Sequence, residues 1–175
     1  MKISYVQKKD APENVQAVYV QLEKKFGGLV PNVLKTIANH EELFMSFIPL
    51  LSIAYGPGGI DNATKELAIL TTSRVHGCKY CMTHHTISAK RAGLHKEKIA
   101  HVLNGNGKSE ALDDREKAVV RYSEELLMLN KVAQESLDEL SKFYDENQIV
   151  ELTMVNGVTS ILAKYATTFN VELEF

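Results

Sequence analysis

Neither sign of charge predominates in this chain: 20 lysines and arginines stand against 22 aspartates and glutamates, a formal net charge of −2. That balance offers no electrostatic case for nucleic acid or an anionic lipid surface, and neither partner is expected. Long hydrophobic runs are missing too. The most apolar stretch, "FIPLLSIAY" at 47–55, is far shorter than the roughly 20 residues a bilayer requires. The opening "MKISYVQKKDAPENV" lacks the apolar core and small-residue cleavage site of a secretory signal, so the expected setting is cytoplasmic. Cysteine occurs only at Cys78 and Cys81, a poor staple, because closing so small a loop removes little unfolded-state entropy. In a cytoplasmic setting such a C-x-x-C pair is more often catalytic or metal-binding than structural. No Asn-Gly or Asp-Gly turn joins two alternating runs, so a hairpin signal is absent. "NGNGK" at 104–108 has neither the strand–loop–helix context nor the spacing of a nucleotide loop.

What is present is helical pattern. The chain has 175 residues, 45% hydrophobic and 24% charged, enough for one domain, 1–175, with a real core. Pro12 opens "PENVQAVYVQLEKKF" and Gly27–Gly28 closes it, the usual order of helix punctuation. The next segment, ending at "YGPGG", predicts one or two apolar helices with Pro49 as a kink or break. Asp61 or Asn62 is placed to cap a helix carrying Ala63, Leu67, Ala68 and Leu70. A helix from about Cys78 to Ala92 follows, stopped by Gly93. A short helix, one capped by Asp113 or Asp114, and two more complete the chain. "VVRY" and "VELEF" suit strands by propensity alone, yet the expected class is all-α. Met45, Met82, Met128 and Met154 are read as packing residues, and Lys90, Arg91, Lys96 and Lys98 as a solvated face.

On a helix, Cys78, Cys81 and His85 lie at i, i+3 and i+7 and share one face. The two cysteines are then near enough to form a disulfide within one turn. Gly77 suits a chain that ends one helix and begins another, and a helix start stabilises a thiolate. His85, one turn beyond Cys81, is positioned to carry a proton. His84 is rotated away from Cys78 and is read as a bystander. Glu66 has Ile69, Leu70 and Ser73 as helical neighbours, so part of it faces inward, as a proton carrier or as a rim and salt-bridge residue. A zinc site from Cys78, Cys81, His84 and His85, with His76 spare, is the rival reading. It is weaker because every ligand falls in one short stretch and adjacent helical histidines diverge by about 100°. A non-catalytic helical oligomer is a third.

Glu66-x11-Cys78-x2-Cys81-x3-His85, within "LAILTTSRVHGCKYCMTHH" and after "IDNATKE", resembles the AhpD-like alkylhydroperoxidase branch of the carboxymuconolactone decarboxylase superfamily. The likeness is concentrated at about 50–102. "LDDREKAVVRYSEELL" and the final helix resemble the peroxidase-related subgroup. The resemblance implies an AhpD-like all-helical fold assembling into homo-trimers or homo-hexamers. It implies a thiol-dependent antioxidant peroxidase in which Cys81 attacks the peroxide and becomes a sulfenic acid. Cys78 resolves it to a redox-active disulfide, and Glu66 and His85 relay protons. A lipoylated or thioredoxin-like dithiol donor regenerates the pair, and no metal or other cofactor is implied. Tyr80, as a hydrogen-bond donor, stands where the characterised hydroperoxidase carries histidine. A disulfide reductase with little peroxidase activity therefore stays open beside the peroxidase. Lactone decarboxylation is not implied, since decarboxylase members lack the cysteine pair.

Overall fold

The computed structural model describes residues 2–129 and 131–175. Among these described residues, a 3-10 turn at Lys8–Asp10 is followed by nine α-helices: α1 (Glu13–Lys25), α2 (Asn32–Ile37), α3 (Glu41–Tyr55), α4 (Asn62–Val75), α5 (Lys79–Arg91), α6 (Lys96–Leu103), α7 (Asp114–Met128), α8 (Gln134–Leu140) and α9 (Glu146–Thr168). Among the described residues there is no strand: "VVRY" lies inside α7, and 171–175 have no regular structure. Pro49 sits within α3 and does not end it. The expected caps form: Asp61 accepts from the Thr64 N–H and Asp113 completes a reciprocal capping box, while Asp145, not singled out in the sequence, completes a second.

Helix α4 is the axle of the fold, with α5, α6, α7 and α9 packed around it. From Thr64 to Ser73 every residue except Glu66 is buried. Four of those positions carry hydroxyls, which burial would penalise if they were left unpaired. Three avoid this by bonding back to the helix's own carbonyls: Thr71 to Leu67 (2.7 Å), Thr72 to Ala68 (2.9 Å) and Ser73 to Ile69 (2.7 Å). Thr72 Oγ1 also bonds Asn156 Oδ1 on α9 at 2.7 Å. Lys65 is fully buried as well; its Nζ meets Glu151 Oε1 at 2.6 Å and the Gly56 carbonyl at 2.5 Å. Glu151 in turn accepts the Gly59 and Ile60 N–H groups. A Cβ on Gly58 would collide with that carboxylate, so a larger residue there would push Glu151 off its bonds to Lys65 and to the turn.

The packing reading of the methionines holds unevenly. Met45 lies against the core, whereas Met128 and Met154 are exposed.

Candidate functional site

The site begins with the way α4 ends. Gly77 takes φ +63°, its N–H bonds the Arg74 carbonyl (2.9 Å), and the Cys78 N–H bonds the Ser73 carbonyl (2.9 Å). This is a Schellman turn, and only glycine adopts its left-handed residue without strain. It reverses the chain at once, so that Cys78 becomes the N-cap of α5. There the Cys78 sulfur accepts the Cys81 N–H at 3.2 Å. Cys78 and Cys81 are joined as a disulfide, with Cα atoms 5.3 Å apart. Helix α5 therefore starts one residue later than the sequence reading had it.

Both cysteines are buried, but they face different surroundings. Cys81 lines a cavity of about 380 Å³, and Cys78 is not among its walls. Glu66, Tyr80, His84 and His85 line the same cavity. Glu66 Oε2 and His85 Nδ1 are 2.9 Å apart, so the structure brings together the carboxylate of α4 and the imidazole of α5 beside Cys81. Tyr55 packs edge-on against His85, ring centroids 5.5 Å apart, and anchors its hydroxyl on Thr159 Oγ1 at 2.8 Å. Burial pushes the Tyr55 phenol far above its ordinary value, so it is a fixed neutral wall.

His84, read as a bystander, also lines the cavity. The reason lies beyond α5. Asn170, at φ 46°, ends α9 with a second reversal, the Val171 N–H bonding the Ala166 carbonyl at 3.0 Å. Residues 171–175 then run back to the cavity mouth. Glu174 inserts there: Oε2 pairs with His84 Nε2 at 2.8 Å, and Oε1 accepts the Tyr80 hydroxyl at 2.8 Å and the Asn32 N–H. The Phe175 ring lies edge-on to His84 at 5.3 Å. Burial alone would push the Glu174 carboxyl up. Hydrogen bonds from His84, Asn32 and Tyr80 outweigh it and hold the group below the usual carboxylate range. Burial, reinforced by that carboxylate, pushes the Tyr80 phenol far up, so it stays protonated and donates.

The four candidate zinc ligands are thus divided among a disulfide, the Glu174 pair and the Glu66 pair. His76, the spare, bonds Ser160 Oγ at 2.6 Å. Nothing in the sequence singled out Glu174, Asn32 or Tyr55.

Residues 42–125 match the model of the carboxymuconolactone decarboxylase family. Over 98 residues the chain is 28% identical to the uncharacterized protein YdfG of Bacillus subtilis (strain 168), covering 55% of this chain and 66% of that one. It therefore spans just under two thirds of that relative. Among solved structures, a peroxidase-related protein with an alkylhydroperoxidase AhpD core, from Ralstonia eutropha JMP134, superposes with a TM-score of 0.88 at 16% identity, over 99% of this chain and 92% of the other. The debrominase Bmp8 in complex with 2,3,4-tribromopyrrole gives a TM-score of 0.85 at 20% identity, over the same shares. At such identities the likeness to these structures is one of fold.

Proposed function

Since the chain belongs to the carboxymuconolactone decarboxylase superfamily, within which it has the AhpD-like fold, we propose that it is a cytoplasmic, thiol-dependent oxidoreductase that reduces hydroperoxides through Cys78 and Cys81. The observation that carries this reading is the disulfide at the wall of a cavity that also holds the Glu66–His85 pair.

Cys81, the cysteine that meets the cavity, is the attacking sulfur in its reduced, thiolate form. It takes the terminal oxygen of R–O–OH; the O–O bond breaks, Cys81 becomes a sulfenic acid, and the leaving alkoxide takes a proton to become R–OH. With Nδ1 turned to Glu66, the Nε2 side of His85 is the source of that proton, and Glu66 holds the ring in place. The Cys78 sulfur then attacks the sulfenic sulfur, water leaves, and the disulfide forms. A dithiol donor, lipoylated or thioredoxin-like, reduces it by exchange. Cys78 suits the resolving role: it is already the cap of α5, where its sulfur faces the Cys81 N–H.

A second acceptor suits the same dithiol. The debrominase Bmp8 shares the fold and is bound to a tribromopyrrole, and the mostly apolar, aromatic-walled cavity here fits a ring of that kind. Attack of the Cys81 sulfur on bromine, with protonation of the ring carbon, yields the debrominated arene and a sulfenyl bromide. Cys78 then displaces bromide and closes the disulfide.

The test is turnover of cumene hydroperoxide and of 2,3,4-tribromopyrrole with a dithiol donor. Cys81→Ser and Cys78→Ser are expected to fall to background, and Glu66→Gln and His85→Gln to lose roughly 10²-fold. Tyr80→His, which supplies an imidazole before Cys81, is expected to raise hydroperoxide turnover roughly tenfold. Wild-type rates in the cysteine variants would remove the thiol mechanism. Reduction of disulfide substrates without turnover of either acceptor would replace it with a disulfide reductase.

A further inference from the structure

Glu174 is bound in the way a ligand would be. Its carboxylate is only 5% exposed and rests on three donors: the Tyr80 hydroxyl, His84 Nε2 and the Asn32 N–H. All three come from elements distant in sequence, and Tyr80 and His84 border the cavity that Cys81 lines. Elsewhere the segment delivering this carboxylate is held by buried Val171 and by two backbone bonds of Glu172, its carbonyl accepting from Asn32 Nδ2 (3.0 Å) and its N–H donating to the Tyr5 hydroxyl (3.1 Å). It has no regular structure, Leu173 and Phe175 are 38% and 64% exposed, and its Glu172–Lys2 ion pair is open to solvent. Exposed pairs of that kind contribute little. Lys25 and Arg91 also line the cavity, adding positive charge, while Phe26, Leu29, Leu51 and Leu162 supply apolar wall.

We infer that Tyr80, His84 and the Asn32 amide form a carboxylate-binding subsite, that the substrates of this protein are small monocarboxylates whose apolar or aromatic body carries the hydroperoxide, and that Glu174–Phe175 is a built-in surrogate for them. A substrate acid displaces the Glu174 carboxylate from the same donors and lays its apolar body along the cavity toward Cys81. At about 380 Å³ the space falls in the lower part of the range of small-molecule pockets, about 300–1,000 Å³. The donor set distinguishes acids from neutral analogues, because a hydrogen bond to a charged acceptor is stronger than one to a neutral acceptor. Treating these acids as substrates rests on the redox reading of Cys81; the subsite itself does not.

The experiment measures binding of 4-phenylbutyrate and of its neutral amide, 4-phenylbutyramide, to the disulfide form by calorimetry. Glu174→Ala removes the internal competitor, so the acid is expected to bind about tenfold or more tighter than to wild type, while the amide changes little. Adding Tyr80→Phe to that variant is expected to remove most of the acid's advantage. Thermal melting of the same samples gives an independent readout of folding: the acid, not the amide, raises the midpoint of Glu174→Ala. Equal binding of acid and amide to Glu174→Ala, or no binding of either, overturns the inference. Hydroperoxide turnover is scored separately. Turnover without acid preference removes the subsite alone, and acid preference in a protein without thiol turnover keeps the subsite and removes the redox reading.

Discussion

Glu174 ties the acid–base state of one residue to the openness of the cavity. Its hydrogen bonds hold the carboxyl below its ordinary value of 4.5, so the folded state favours the ionised form. A carboxylate with a depressed folded pKa contributes its full stabilisation above the unfolded value and loses it as pH falls through the folded one. Tyr80 and His84 on α5 face it, with Lys25 and Arg91 on the same cavity. The Phe175 ring is therefore expected to stay docked on His84 from neutral pH down to 4.5 and to detach only below that, as read from Phe175 ring signals by NMR across a pH series. Detachment beginning above pH 5 would contradict this account of the anchor. The same residue marks the limit of what the sequence disclosed. Cys78, Cys81 and His85 were legible because helical spacing specifies which side chains share a face, whereas Glu66, on another helix, was tied to them only by the family resemblance. Glu174 meets Tyr80 across 94 positions, and no local periodicity encodes a contact of that span. The place of His84 on the cavity was hidden for a related cause: the angular argument located the cysteine face correctly, but the returning segment adds a second wall to the cavity.

At the level of elements, helix punctuation was the most readable part of the chain. Asp61 and Asp113 cap helices through their side chains, and Gly77 and Gly93 follow helix ends at positive φ. Asn170 was missed as a stop because asparagine is a rarer left-handed residue than glycine, and "VELEF" after it suggested strand. Gly77 carries the most chemistry. Its turn sets Cys78 at the N-cap, so Gly77→Ala is expected to cost about 1 kcal/mol of stability. It is also expected to shift the potential of the Cys78–Cys81 couple, measured by urea unfolding and by dithiol redox titration. An unchanged potential with the expected loss of stability would show that cap and disulfide geometry do not depend on this turn.

For the molecule as a whole, apolar side chains of two adjacent helices are exposed among the described residues. Helix α9 exposes Val150, Met154 and Ile161 along one side, and neighbouring α3 exposes Leu50 and Ile53, the last at 73%. The apolar stretch of α3 seen in the sequence thus divides its work, with Leu51 and Tyr55 on the cavity and Ile53 facing out. Exposed apolar side chains on adjacent helices favour association between copies. Light scattering is expected to give a mass at least twice that of the chain, and Val150→Glu with Ile161→Glu to reduce it to one. A monomeric wild type would remove the assembly that the family resemblance implies.

Residues far apart in the chain meet next to the segment that reaches the cavity: Lys2 pairs with Glu172 at 2.7 Å, and the Glu172 N–H bonds the Tyr5 hydroxyl at 3.1 Å, two positions before Glu174 on the cavity wall. A dye or crosslinker attached at Lys2 would therefore sit close to the residues that border the cysteine pair. Rates measured on labelled protein then need comparison with unlabelled protein in the first assay.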